Sequence, residues 1–153
     1  MAVRRIPVFN SSLFDEKTFY QTFLEDLDKC RSEIIIESPF ITTFRMKTFD
    51  RIFKNLLNNG VKIYIVTRDP REHDNGYEIQ SEETIQWCEE VGIQVLLSKG
   101  NHHRKLAILD RKILWEGSLN ILSQYQSREI MRRIGNEELA MEMFKFLKLK
   151  TVI

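Results

Sequence analysis

Between residues 15 and 98 the hydrophobic period switches from helical to strand-like three times, and this alternation constrains the fold more than any other feature. Residues 15–31 carry Tyr20, Phe23, Leu24 and Leu27 at helical spacing. Ser12 and Asp15, three apart, form a candidate cap for that helix. The run EIIIESPF (33–40) is short, apolar and rich in isoleucine, which suits a buried strand, and Pro39 ends it. Residues 43–59 place Phe49, Ile52, Phe53, Leu56 and Leu57 on one helical face, with Gly60 where a C-terminal cap belongs. A second strand, VKIYIVT (61–67), leads into a polar loop, RDPREHDNGY (68–77). A helix over 81–91, stopped by Gly92, and the strand IQVLLS (93–98) complete the series. The expected fold class is α/β: a mixed, mainly parallel sheet flanked by helices on both faces, in one domain spanning 1–153.

After residue 98 the rhythm changes. KLAILD (105–110) and KILW (112–115) are strand-like runs with almost nothing between them, which predicts a tight antiparallel hairpin. Residues 129–134 form one more candidate strand. Asn136 is a candidate N-cap for a last helix that buries Leu139, Met143, Phe146 and Leu147. Phe19, Phe23, Phe49 and Phe53 fall on helical faces and are assigned to the core, as is Trp115 in its strand.

Composition excludes several classes. With 42% hydrophobic and 29% charged residues the chain is neither disordered nor disulfide-dense. No stretch approaches the ~20 apolar residues that span a bilayer. Residues 1–10 hold two arginines but no apolar core of signal-peptide length, so a cytoplasmic location without stable membrane association is expected. Cys30 and Cys88 sit in helical patterns and are read as reduced, packed thiols. They lack the paired spacing that holds zinc. A formal net charge of +1 means that any polyanion site must be a local patch.

The chemistry concentrates in residues 100–120, GNHHRKLAILDRKILWEGSLN. In an extended segment residues two apart share a face, so His103 and Lys105 project together at the mouth of the sheet. An imidazole nitrogen beside an ammonium suits attack on a phosphate whose oxygens the lysine holds. Gly117 allows close backbone approach to a ligand, and Ser118 and Asn120 offer neutral donors to a non-bridging oxygen.

The pattern His-x-Lys-x-x-x-x-Asp, then six residues and Gly-Ser-x-Asn, resembles the signature of the phospholipase D superfamily. It falls on His103, Lys105, Asp110, Gly117, Ser118 and Asn120, and the preceding βα alternation also resembles that fold. The resemblance implies phosphodiester hydrolysis or transfer through a covalent phosphohistidine, with neither metal nor cofactor. It implies His103 as nucleophile, Lys105 and Asn120 as phosphate ligands and Ser118 as an assistant. Asp110 belongs to the same catalytic motif but is expected to anchor the hairpin rather than touch phosphate. A carboxylate after the asparagine often orients the histidine; Glu129 is the first candidate, with Glu137 and Glu138 as alternatives.

The chain departs from the larger family members in carrying the motif once. The chemistry needs a second histidine to protonate the leaving oxygen. His73 has no lysine two residues on, and His102 has Arg104 there, so only His103 fits. A homodimer placing His103 of a second copy against the first is therefore expected. His102 alternates to the opposite face and is assigned a structural or solvent role. Metal binding by His73, His102 and His103 is the weaker alternative, since the spacing is not that of metal motifs.

Lys99, Arg104, Arg128, Arg132 and Arg133 could form a basic rim for nucleic-acid backbone, against the plainer reading of a solvated surface. Arg68 ends a strand where α/β sheets bind ligands, and Tyr125 could stack a base. The small single-motif format resembles the compact bacterial-type endonucleases of the superfamily, so DNA or RNA is the expected substrate. The alternatives are a lipid phosphodiesterase, for which the sequence offers no basic amphipathic helix, and a nucleic-acid-binding or dimerisation module without turnover.

Overall fold

A computed structural model of the chain describes residues 10–72 and 77–153. Seven strands form one sheet: β1 (Asn10–Asp15), β2 (Glu33–Glu37), β3 (Lys62–Arg68), β4 (Gln94–Ser98), β5 (Leu106–Leu109), β6 (Ile113–Gly117) and β7 (Ile130–Gly135). Their order is β1-β7-β6-β5-β2-β3-β4. Helices α1 (Phe19–Asp28), α2 (Thr43–Asn58), α3 (Tyr77–Val91) and α4 (Glu137–Phe146) connect or follow them. His73, and part of the loop expected over 68–77, lie outside the described residues.

The sheet is mixed and flanked by helices on both faces, but it is less parallel than the βα rhythm suggests. Among the described residues parallel pairing is confined to β2–β3 and β3–β4. The hairpin partner β5 joins β2 antiparallel, and β6, β7 and β1 continue that way. The connection 99–105 stays at one end of the sheet, so β5 runs opposite to β4 and therefore to β2, and the tight turn after Leu109 reverses the chain again into β6.

The two cores follow from the period-2 alternation of the strands. Ile34, Ile36, Ile63 and Ile65 face α1, α2 and α3, which bring Phe19, Phe23, Leu27, Phe49 and Phe53. Each such side chain contributes roughly 2 kcal/mol by leaving water. Ile35, Tyr64, Leu106, Ile108 and Leu114 face the other way, onto Ala140 and Phe144 of α4. Trp115 is fully buried, with Phe19 and Phe23 edge-on to it at 5.1 and 5.8 Å. Its Nε1 donates to Asp26 (2.9 Å), whose carboxylate also takes both arms of Arg133 (2.6 and 3.0 Å). Cys30 and Cys88 are buried free thiols.

Capping matches the sequence in two helices. Thr42 accepts from Arg45 N–H at the start of α2, and Asn136 from Leu139 N–H at the start of α4. The start of α1 differs. Ser12 lies inside β1, and Asp15 ends that strand while its Oδ1 accepts from Lys17 and Thr18 N–H. In α4 the buried residues are Ala140 and Phe144, with Leu139, Met143 and Leu147 half-buried. Phe146 is 76% exposed, which corrects its assignment to the core.

Asp110 secures the hairpin. It and Arg111 both take positive φ (51° and 54°) in the turn between β5 and β6. Its carboxylate accepts from the backbone N–H of Arg31, Ser32 and Glu33 and from the Ser32 hydroxyl, all at 2.8–2.9 Å. Burial pushes its pKa up, but the N–H groups of Glu33, Arg31 and Ser32 outweigh it, and the carboxyl titrates below its ordinary 3.8. Asp110→Ala should cost about 2–3 kcal/mol in urea unfolding, since hydrogen bonds to a charged acceptor are lost together. A folded pKa below the unfolded one means that this contribution is complete above the unfolded value. It disappears as pH falls through the folded value, so wild type and variant should converge in acid.

Candidate active site

β4 and β5 are separated in the sheet by β3 and β2, so residues 99–105 cross the carboxyl ends of those two strands. This crossing delivers the histidines. It is held by a clamp: Glu72 accepts from Gly100 and Asn101 N–H (2.8 and 3.3 Å), and Arg68 donates to Asn101 Oδ1 (2.6 Å) and to Glu72 (3.3 Å). Bonding to Gly100 foremost holds the Glu72 carboxyl below the usual range. Gly100 and Asn101 both sit at positive φ, where glycine and asparagine are the residues that fit. Arg68, expected to meet substrate, spends its guanidinium on shaping this loop.

His103 is exposed, and its ring meets Phe40 edge-on at 6.3 Å. Lys105 lies half-buried immediately before β5, and its Nζ donates to the His103 carbonyl (2.5 Å). The pair therefore stands on the crossing loop and not in the strand. His102 turns the other way and is 7% exposed, with Nε2 buried and without a hydrogen-bond partner among the described residues. Burial first, then the charges of Arg104, Lys105 and His103, push its pKa down to about 4, so it is neutral beside its exposed neighbour.

Asn120 follows β6 at the same end of the sheet, its Oδ1 buried and unpartnered among the described residues. Such atoms concentrate at functional sites. Gly117 is explained by crowding from protein, not by approach of a ligand: a Cβ there would lie 2.2 Å from Ile130 O. The Ser118 hydroxyl accepts from Ile130 N–H (3.0 Å) and makes a long contact to Ile130 O (3.5 Å). It braces β7 against the turn after β6.

Strand register separates the three candidate glutamates. Gly117 pairs with Met131, and Ile113 with Gly135, so β7 begins at the Gly117–Ser118 end and finishes at the opposite end. Glu137 and Glu138 open α4 beyond that far end. Glu129 alone of the three stands beside Ile130, and its carboxylate is close enough to act on Lys105. Burial lowers the Lys105 pKa, and Glu129 partly restores it.

The basic residues divide. Arg133 faces inward to Asp26 and is no rim charge, whereas Arg132 is exposed and donates to a neutral partner, Ser11 Oγ (2.6 Å). Arg104 pairs with Glu37, Nη2 to Oε1 at 3.1 Å, with Nε as far from Oε2 but poorly aligned for a hydrogen bond. Lys99 and Arg128 are exposed. Tyr125 is 72% exposed, and Trp115 belongs to the core as expected.

Sequence reasoning missed Glu37 and Phe40. Glu37 ends an otherwise apolar strand, is 1% exposed, and burial raises its pKa against the pull of Arg104. A lone acid closing the run EIIIE was the available signal. Among the described residues no three His, Cys, Asp or Glu side chains are grouped to hold a metal ion, and no helix is long and apolar enough to cross a membrane.

Glu129→Gln should make Lys105 titrate at a still lower pH, as followed by NMR of the lysine side-chain amines. An unchanged titration would mean that the carboxylate does not face the ammonium.

Comparison with known proteins places the fold. The family described as "Cardiolipin synthase, PLD-like domain" matches residues 23–149. None of the curated proteins searched matches the chain. The fold is shared with NucT from Helicobacter pylori, at TM-score 0.72 and 22% identity over 92% of this chain and 94% of that one. Nuc from Salmonella typhimurium, a phospholipase D family member, gives TM-score 0.72 at 18% identity, over 92% and 93%. Phosphatidylserine synthase from Haemophilus influenzae Rd KW20 gives 0.67 at 13%, over 94% of this chain but 38% of that one. With the family matched over most of its length, the chain belongs to the phospholipase D superfamily.

Proposed function

We propose that the protein is a metal-independent nuclease that cleaves DNA or RNA through a covalent phosphohistidine at an active site shared by two copies of the chain. The observation that carries this reading is the gathering of His103, Lys105, Asn120 and Glu129 at one end of the sheet. The His103 imidazole attacks phosphorus, and the oxygen of the departing strand leaves with a proton from His103 of the second copy. Water, deprotonated by that same imidazole, then displaces His103 from phosphorus. Lys105 and Asn120 bind the non-bridging oxygens, whose charge grows in the transition state. Glu129 holds the charged form of Lys105 and orients His103.

The second copy is supported by the surface beside the site. Leu13, Ile130 and Phe146 are 63%, 64% and 76% exposed, and all line a groove of about 490 Å³ that also contains Arg104 and Lys105. An exposed apolar patch rimmed by charge is typical of an interaction surface. Glu116 and Arg132 border the same groove, giving both signs of charge for a self-complementary contact.

In excess EDTA, wild type should cut plasmid, single-stranded DNA or RNA, and His103→Ala should lose about a thousandfold or more of that activity. Equal cutting by both would remove His103 from the chemistry, and a strict magnesium requirement would remove the mechanism. Ile130→Lys together with Phe146→Lys should give a folded monomer by sedimentation, with turnover lowered about 100-fold or more through loss of the second histidine. A fully active monomer would contradict the shared site.

A further inference from the structure

Two exposed aromatic rings stand on the segments that frame this site. Phe44, in the first turn of α2, is 62% exposed, and Tyr125, in the turn after Asn120, is 72% exposed. Their rings meet edge-to-face with centroids 6.1 Å apart. Both segments are fixed to the catalytic end. Phe40, which touches His103, lies four residues before Phe44. Gln124 N–H donates to the Asn120 carbonyl (2.8 Å), and Thr42 N–H to the Leu122 carbonyl (2.9 Å), which joins the two segments.

Arg45 braces the pair. Its Nε and Nη2 donate to the Gln124 carbonyl (3.2 and 2.7 Å), and its guanidinium lies 3.8 Å from the Tyr20 ring centroid and 5.8 Å from that of Phe44. Among the described residues these contacts are a carbonyl and two rings, none of which neutralises the charge. Arg128 adds a second cation three residues after Tyr125. The patch thus combines ring surface on two hydrogen-bonded segments with positive charge that no carboxylate pairs among the described residues, and it adjoins the residues proposed to bind the scissile phosphate.

That combination complements a single nucleic-acid strand: unpaired bases have free faces for stacking, and phosphates neutralise the arginines. In a duplex the base faces are already occupied. We infer that Phe44 and Tyr125 stack unpaired bases flanking the scissile phosphate, with Arg45 drawing in the backbone, so that the enzyme prefers single-stranded substrate. This rests on the nuclease reading and specifies its substrate.

The test is fluorescence anisotropy in EDTA with labelled single-stranded and hairpin-duplex oligonucleotides, in a His103→Ala background that blocks cleavage. Phe44→Ala and Tyr125→Ala should each weaken single-strand binding about fivefold or more and leave duplex binding within twofold. Phe44→Trp and Tyr125→Phe, which keep the ring, should retain affinity, which separates stacking from a folding defect. With wild-type His103, the alanine variants should slow cleavage of single strands and spare duplex. Single-strand affinity unchanged in the alanine variants, or both substrates weakened alike, would overturn the stacking role and leave the nuclease reading intact. A parent protein that binds neither oligonucleotide would overturn both.

Discussion

The capture of the Asp110 carboxylate by three successive backbone N–H groups at the start of β2 sets the geometry on which the site depends. It anchors the β5–β6 turn to one end of β2, and the pairing then runs from Ile34 opposite Leu109 to Glu37 opposite Leu106. The residues just before Leu106 therefore emerge at the carboxyl end of β2. A slip of one residue would turn Ile108 from the α4 core toward the other face and carry the crossing loop with it. The aspartate of the motif thus acts at the end of the sheet opposite the histidine, by fixing register. The four residues between Lys105 and Asp110 are the length of β5.

Where hydrophobic period and capping agree, the elements were legible from sequence. The second helix, the two isoleucine-rich strands, the hairpin and the Asn136 cap all stand where the pattern places them. β1 was hidden because NSSLFD has little strand character and lies largely exposed at the sheet edge. It exists through its pairing with β7, a contact more than a hundred residues away that no local pattern encodes. Strand direction was hidden for a similar reason: alternation predicts which segments are strands, whereas the connections decide how they run. Phe146 was misassigned because a helical face read from spacing alone does not say how far the neighbouring sheet extends beneath it.

The motif residues were legible by spacing, but their neighbours needed three-dimensional register. Glu129, Glu137 and Glu138 are equivalent in sequence and lie at opposite ends of β7 in the fold. Arg132 and Arg133 looked like one basic cluster, yet strand alternation sends the first to Ser11 and the second to the buried Asp26–Trp115 pair. Arg68 and Arg104, both plausible phosphate ligands by position, are paired with Glu72 and Glu37. The carboxylates that claim them were not conspicuous, because one ends a buried strand and the other lies in a polar loop.

The distribution of cover over the sheet connects these points to the proposed chemistry. Three helices seal one face, whereas the single helix α4 seals only part of the other, leaving Leu13, Ile130 and Phe146 in contact with water. A chain of 153 residues that buries Trp115 and four phenylalanines completely has no shortage of packing material, so the uncovered strip is not a failure of core size. The strip adjoins Lys105, and the motif beside it supplies one histidine where the proposed reaction uses two. The proposed two-fold partner, seated there, would remedy both deficits with one contact, since an isologous interface brings the same apolar strip and the same histidine from each side. Turnover would then depend on assembly, because the apolar surface that joins two copies is also what completes the acid–base pair.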